Sequence, residues 1–182
     1  HIVDSEIKGG VSITNGHTLM TIEGSTIDNG FTMKGQNNKG TDPALGLSIE
    51  NFTDANGATK ATTINGSLTF EDTTVRLGGT GTGHVITGDL ISTNTTLTTG
   101  GDNFNQTGHN PAPTSLSGMT IKGSVTQTNG TFDLTFSNGS NIVGKTTLSK
   151  GTKSYLTLFD SKMSDLEIIE GKDNLITLKD GS

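Results

Sequence analysis

The sequence predicts an all-β protein and, within that class, a parallel β-helix, a solenoid of about 20–22 residues per coil. Three observations lead there. A short unit, apolar–Thr/Ser–apolar followed by a turn residue, recurs along the whole chain. Several copies of it stand at a constant longer spacing. The composition is that of short strands between tight corners: Gly, Thr, Ser and Asn make up half of the 182 residues, while aromatic residues are 4 % and Trp is absent. A β-sandwich of this size usually centres on Trp or several Tyr and Phe. The antiparallel sandwich stays as the alternative, because Asn-Gly between apolar runs is also a hairpin signal.

The units follow one another as Val11-Ser12-Ile13, Met20-Thr21-Ile22, Phe31-Thr32-Met33, Leu47-Ser48-Ile49 and Leu68-Thr69-Phe70. Then come Met119-Thr120-Ile121, Leu134-Thr135-Phe136, Leu156-Thr157-Leu158 and Ile176-Thr177-Leu178. In a strand, successive side chains point to opposite faces, so both apolar residues of a unit face inward and the hydroxyl residue outward. One triplet buries little; stacked triplets form continuous columns. Leu47 to Leu68 is 21 residues, Leu97 to Met119 is 22, Leu134 to Leu156 is 22 and Leu156 to Ile176 is 20. The dipeptides at Asn15, Asn29, Asn56, Asn65, Asn129 and Asn138, each followed by Gly, supply the left-handed backbone of tight corners. No segment reads as a helix; 161–170 comes nearest, yet its Leu166 and Ile168 alternate as in a strand. Segments 36–43 and 100–114 break the rhythm and are expected to protrude from single coils, on the face where such solenoids bind. The binding candidates Phe104, Asn105 and His109 lie in the second. The chain is read as one segment, 1–182. It does not begin with Met and has neither a signal-peptide pattern nor an apolar run of about 18 residues, so it is expected to be an internal piece of a longer protein.

The charge balance excludes several functions. The net charge is −6, with a single arginine, Arg76. Nucleic-acid binding needs a basic face, and direct insertion into a membrane is not expected of this segment. With no cysteine, a disulfide framework or Cys-based zinc site is excluded. His1, His17, His84 and His109 have no metal-ligand spacing, and a site joining His84 to His109 across coils is set aside for solvated histidines. No metal or cofactor is expected. Gly78–Gly83 lacks the Lys-Ser/Thr and the helix that a phosphate loop needs, and reads as a turn before a strand at His84-Val85-Ile86. Gly100-Gly101-Asp102 is a lone fragment of a calcium β-roll motif, which is rejected. Six Asn-x-Ser/Thr sites follow from composition alone. An enzyme acting on polysaccharide would need two carboxylates about 5–9.5 Å apart. Glu50 and Glu71, 21 residues apart with Asp72 beside them, would meet if they stood on neighbouring coils. The reading preferred here is an exposed acidic edge and no enzyme.

Runs such as Asn129–Gly144 and Asp173–Ser182 carry a resemblance. They resemble the passenger domains of Gram-negative autotransporters, in the style of vacuolating-cytotoxin-like and adhesin-like passengers. The resemblance covers nearly the whole chain and rests on composition and rhythm, without a motif that would carry a functional residue over. It implies a right-handed parallel β-helix, secreted or displayed outside the outer membrane, that acts in adhesion or toxin-type contact with a host-cell protein or glycan. A non-binding spacer would have the same sequence style. No Ser, His and Asp protease triad is recognisable. The coil ends are unpaired edges, so end-to-end self-association is expected to be possible.

Overall fold

The computed structural model describes residues 1–15, 19–35, 46–99 and 114–182. Among these residues there is no helix. Twenty-one strands form, in chain order β1 (Ile2–Val3), β2 (Glu6–Ile7), β3 (Val11–Thr14), β4 (Leu19–Glu23), β5 (Thr26–Asp28), β6 (Phe31–Lys34) and β7 (Gly46–Glu50). Next are β8 (Phe52–Thr53), β9 (Thr59–Lys60), β10 (Thr63–Asn65), β11 (Leu68–Glu71), β12 (Thr74–Thr80), β13 (His84–Ile86) and β14 (Leu90–Thr98). The last are β15 (Leu116–Ser117), β16 (Met119–Ile121), β17 (Val125–Ser137), β18 (Asn141–Ser149), β19 (Lys153–Phe159), β20 (Lys162–Ile169) and β21 (Asn174–Lys179). Segment 161–170 thus holds a strand, Lys162–Ile169, as its alternation suggested. Nineteen strands join one sheet whose pairings are all parallel; only β8 and β9 pair antiparallel. The sandwich alternative finds no support in this pairing.

The pairings sort the strands into three rows. β1, β4, β7, β12, the second half of β14, β15, the second half of β17, β19 and β21 form the first. β2, β5, β10, β13, β16, the start of β18 and the start of β20 form the second. β3, β6, β11, the first halves of β14 and β17, and the remaining halves of β18 and β20 form the third. The stretch of chain between a strand and its parallel partner is here called a lap.

Each row buries alternate residues. In the second row Ile7, Ile27, Ile64, Ile86, Ile121 and Ile142 stand directly over one another, with Met163 last. Those from Ile27 to Ile142 are almost fully excluded from water. Each such burial contributes about 1.5–3 kcal/mol, and β-branched side chains suit the pleated surface. In the first row Ile2, Ile22, Ile49, Gly79, Leu116, Phe136, Leu158 and Leu178 stand in register, with no side chain at Gly79 and with Leu178 exposed at the end. Thr, Ser and charged residues occupy most of the outward positions, with Val3, Ile91, Phe159 and Leu175 among the apolar exceptions.

Corners set where laps bend. After the third-row strands, Asn15, Gly35, Asp72, Asn94, Asn129, Lys150 and Glu170 all have positive φ. After the first-row strands, Asp4, Gly24, Gly81, Gly118, Asn138, Asp160 and Asp180 do the same. Asn and Asp tolerate this conformation better than most residues, which explains the Asn-Gly richness. The bend from second to third row needs close backbone approach. Gly88 N–H donates to Gly66 O, Gly123 N–H to Gly88 O and Gly144 N–H to Gly123 O, at 2.9–3.0 Å. A Cβ on Gly123 would lie 2.6 Å from the Gly88 carbonyl, so no side chain fits there.

The spacing reading holds in part. Leu134, Leu156 and Ile176 are stacked partners. Leu47 and Leu68 are not: Leu47 pairs with Leu77, and Leu68 with Phe31 and Leu90. Leu97 pairs with Phe132, whereas Met119 pairs with His84. Two of the four spacings of 20–22 residues are therefore coincidences between different rows. Laps without added residues do span 20–22, as in Ile2 to Ile22 and Leu68 to Leu90. Others are lengthened by segments interposed between rows.

Candidate functional site

The structure separates the carboxylates that the sequence suggested as a pair. Glu50 ends a first-row strand and Glu71 ends a third-row strand. Glu71 stands in register with Lys34, and their side chains meet at 2.7 Å. That lysine is pushed above its usual pKa, first by the hydrogen bond to Glu71 and then by its charge. Asp72 takes a corner position and accepts a 2.7 Å hydrogen bond from Asn94 Nδ2. The register instead brings Glu23 beside Glu50 on adjacent first-row strands. Strand neighbours of this kind lie about 4.8 Å apart. Glu50 Oε1 accepts from Ser48 Oγ at 2.6 Å, and Glu23 approaches His1 Nδ1 at 3.7 Å. The lap from Glu23 to Glu50 is 27 residues long, which hid the pair from a search for a 20–22 period. Among the described residues no group of three or more His, Asp or Glu could hold a metal ion.

Segment 36–43 lies outside the described residues, as does 100–114 except for Thr114, and with it Phe104, Asn105 and His109. The described protrusion is a different one. After β7, residues Phe52–Lys60 leave the lap as an antiparallel hairpin. Asp54 folds its tip: its backbone carbonyl accepts from Gly57 N–H, and its Oδ1 accepts from Asn56 N–H and Ala58 N–H at 2.8 and 2.9 Å. Asn56-Gly57, one of the expected corners, is this hairpin turn instead. The tip from Ala55 to Lys60 is exposed, and Lys60 is tied back to Asp4 at 2.9 Å.

His84 has a role that spacing arguments missed. At the bend between first and second rows, a backbone N–H on one lap repeatedly donates to a side-chain acceptor on the next. Ser5 N–H donates to Ser25 Oγ, Ser25 N–H to Thr62 Oγ1, Met119 N–H to Ser140 Oγ and Ser161 N–H to Ser182 Oγ. Thr62 N–H donates to His84 Nδ1 at 3.1 Å, so the imidazole stands where other laps place a hydroxyl. Nδ1 must then be unprotonated, and Nε2–H donates to Thr80 O at 2.9 Å. Burial pushes the His84 pKa down, against smaller upward pulls from the Thr80 carbonyl and the Glu50 charge. His84 is a buried, neutral structural acceptor and not the solvated residue expected.

The outward surface is otherwise ordered by register. Thr32, Thr69, Thr126 and Thr147 lie on one outward line of the third row, interrupted by Ile91, and Thr135, Thr157 and Thr177 on one of the first. Beside the latter, Lys153 Nζ meets Asp133 Oδ2 at 2.6 Å and lies 4.2 Å from the centre of the Tyr155 ring. Tyr155 Oη donates to Asp173 Oδ2 at 2.8 Å. That bond is the main cause raising the tyrosine pKa, as the bond to Asp133 raises that of Lys153. In comparisons with family models, curated proteins and solved structures, none matches the chain. The surface itself therefore has to suggest what it does. It offers rows of hydroxyls at strand spacing, one projecting hairpin and no assembled set of catalytic groups among the described residues.

Proposed function

We propose that the chain is a right-handed parallel β-helix segment of a secreted or surface-displayed passenger of the autotransporter type. In this reading it works by adhesion or toxin-type contact with host cells. The observation that carries the proposal is the continuous parallel register over three rows, which gives a rigid support with long, regular outward lines. The absence of cysteine suits a route in which the chain crosses the outer membrane unfolded. The partner would be a host-cell surface protein or glycan, met by the projecting hairpin Phe52–Lys60 and the hydroxyl lines. Such a segment needs no cofactor and no catalytic centre. Glu50 and Glu71, the carboxylates on which the polysaccharide-cleaving alternative rested, stand in different rows, while Glu50 is in register with Glu23 instead.

Binding of the labelled chain to cultured epithelial cells tests this. Saturable binding, lost when 100–114 is scrambled or when the hairpin tip Ala55–Ala58 is replaced, is the expected result. Absence of saturable binding would overturn the adhesive reading and leave the spacer.

A further inference from the structure

The single arginine is placed unlike every other cation among the described residues. Lys8, Lys34, Lys60, Lys145 and Lys153 each have a carboxylate partner, and the remaining described lysines are exposed to water. Arg76 has neither. It occupies an outward position of β12 between the buried Val75 and Leu77. Its side chain is nevertheless half-buried, and Nη1 is shut off from solvent with no hydrogen-bond partner. No ion pair engages the guanidinium among the described residues. A buried, unpaired donor costs about 1–3 kcal/mol, and more when charged, so such an arrangement calls for a counter-group.

Its surroundings say what kind. Gly46 and Thr98 are its register partners on the two adjacent strands. Gly78, two residues along the same strand, is buried and faces the same way, as does its partner Ser48. The floor beside the guanidinium therefore carries small side chains or none, and the hydroxyls of Thr74 and Thr98 flank it. No second cation stands at these neighbouring positions. The chain as a whole is acidic at −6. One guanidinium balances one negative charge, and its planar fork matches the two oxygens of a carboxylate. A dianion would be left half-neutralised in an acidic field.

We propose that Arg76 anchors a site for a carboxylate-bearing, hydroxyl-rich ligand, an acidic sugar unit, on the outward side of the first row. The carboxylate takes the Nε–Nη2 edge of the guanidinium, the side that is not closed to solvent, and sugar hydroxyls meet Thr74 and Thr98. The inference does not depend on the passenger reading and would stand if cell binding failed.

One arginine gives one Nε–Hε correlation in a ¹⁵N spectrum, so the site reports on itself. The chain is titrated with sodium glucuronate, with glucose and with sodium sulfate, at constant ionic strength and pH 7. The expected result is a saturable shift of that correlation with glucuronate, with backbone amides of Gly46, Gly78 and Thr98 moving alongside, and none with glucose. Arg76→Gln should retain the backbone spectrum and bind glucuronate about 10- to 100-fold more weakly through those amides. An unmoved correlation would overturn the site. An equal response to glucose would overturn the role of charge, and an equal response to sulfate would overturn the choice of carboxylate. The titration of the unaltered chain decides these outcomes even if the variant does not fold.

Discussion

Two columns of the core are built on opposite principles. The second-row column runs Ile7, Ile27, Ile64, Ile86, Ile121, Ile142 and Met163 without a polar atom. The third-row column runs Ile13, Met33, Phe70, Ser92, Gln127, Leu148 and Ile168. It is apolar at both ends and polar in the middle, although Ser92 and Gln127 are completely buried. Gln127 accounts for itself. Its Nε2 donates to the carbonyls of Asn129 and Gly130 at the next corner, and its Oε1 accepts from Ser154 Oγ at 2.8 Å. It thus ties the third row to the corner and to the first row. Ser92 Oγ has no partner. A stacked column can be held by shape alone, or by a side chain that satisfies the backbone where the chain bends. The second solution is used at Gln127, next to the Asn129 corner, whereas Met33, Phe70 and Leu148 pass the corners at Gly35, Asp72 and Lys150 with apolar side chains.

The largest effect should come from the isoleucine column. Ile86→Ala removes a fully enclosed side chain between two others and is expected to cost about 2–5 kcal/mol, read from the urea midpoint. An effect below 1 kcal/mol, on the same scale as surface substitutions, would deny that the column is continuous. Gly123→Ala comes next. The new Cβ would press on the Gly88 carbonyl and on Asp89 Oδ1, with an expected loss of about 1–3 kcal/mol; unchanged stability would refute the close approach. Gln127→Leu tests the polar column. The replacement is apolar and of similar length, yet it strands Ser154 Oγ and two corner carbonyls, for a loss of about 1–3 kcal/mol. If it stabilised the protein, the tie would be an incidental contact. Ser92→Ala should go the other way, neutral to about 1 kcal/mol more stable, because it removes a buried hydroxyl that bonds to nothing.

The smallest effect is on pH. His84 binds a proton less readily folded than unfolded, because burial lowers its pKa. The unfolded chain therefore takes up the proton first as pH falls. The His84 contribution is full above the ordinary histidine pKa of 6.5 and is lost as pH drops below it, towards the lowered folded value. Thermal melting across that window should show this slope in the unaltered chain and lose it in His84→Ser, which restores the hydroxyl used on other laps. An identical slope in both would remove His84 from the account.

The all-β class was legible because the alternation of single apolar residues with Thr or Ser is a direct imprint of the two-residue strand period. Corners were legible because left-handed backbone selects Asn and Gly. Register was not. Lys150 and Glu170 occupy the same left-handed corner as Asn94 and Asn129, so the marker fades in the last laps. The hairpin Phe52–Lys60 and the residues between β6 and β7 lengthen single laps, which turned Leu47 and Leu68 into false partners. The same displacement concealed the juxtaposition of Glu23 with Glu50. His84 was misread for another reason. The line it stands in carries Ser25, Thr62, Ser140 and Ser161, broken only at His84 and Met119, and only the register reveals that an imidazole nitrogen takes the place of a hydroxyl. Arg76 gave no signal beyond being the sole arginine.

The central claim is the register itself, and the chain, which has no cysteine of its own, allows a direct test. In-register positions on neighbouring strands fall within disulfide reach, about 4.4–6.8 Å between Cα atoms. The double variant Glu23→Cys/Glu50→Cys should close an intrachain disulfide on mild oxidation. Glu50→Cys/Glu71→Cys, whose positions lie in different rows, should stay reduced. Closure of the second pair, with the first remaining open, would contradict the account.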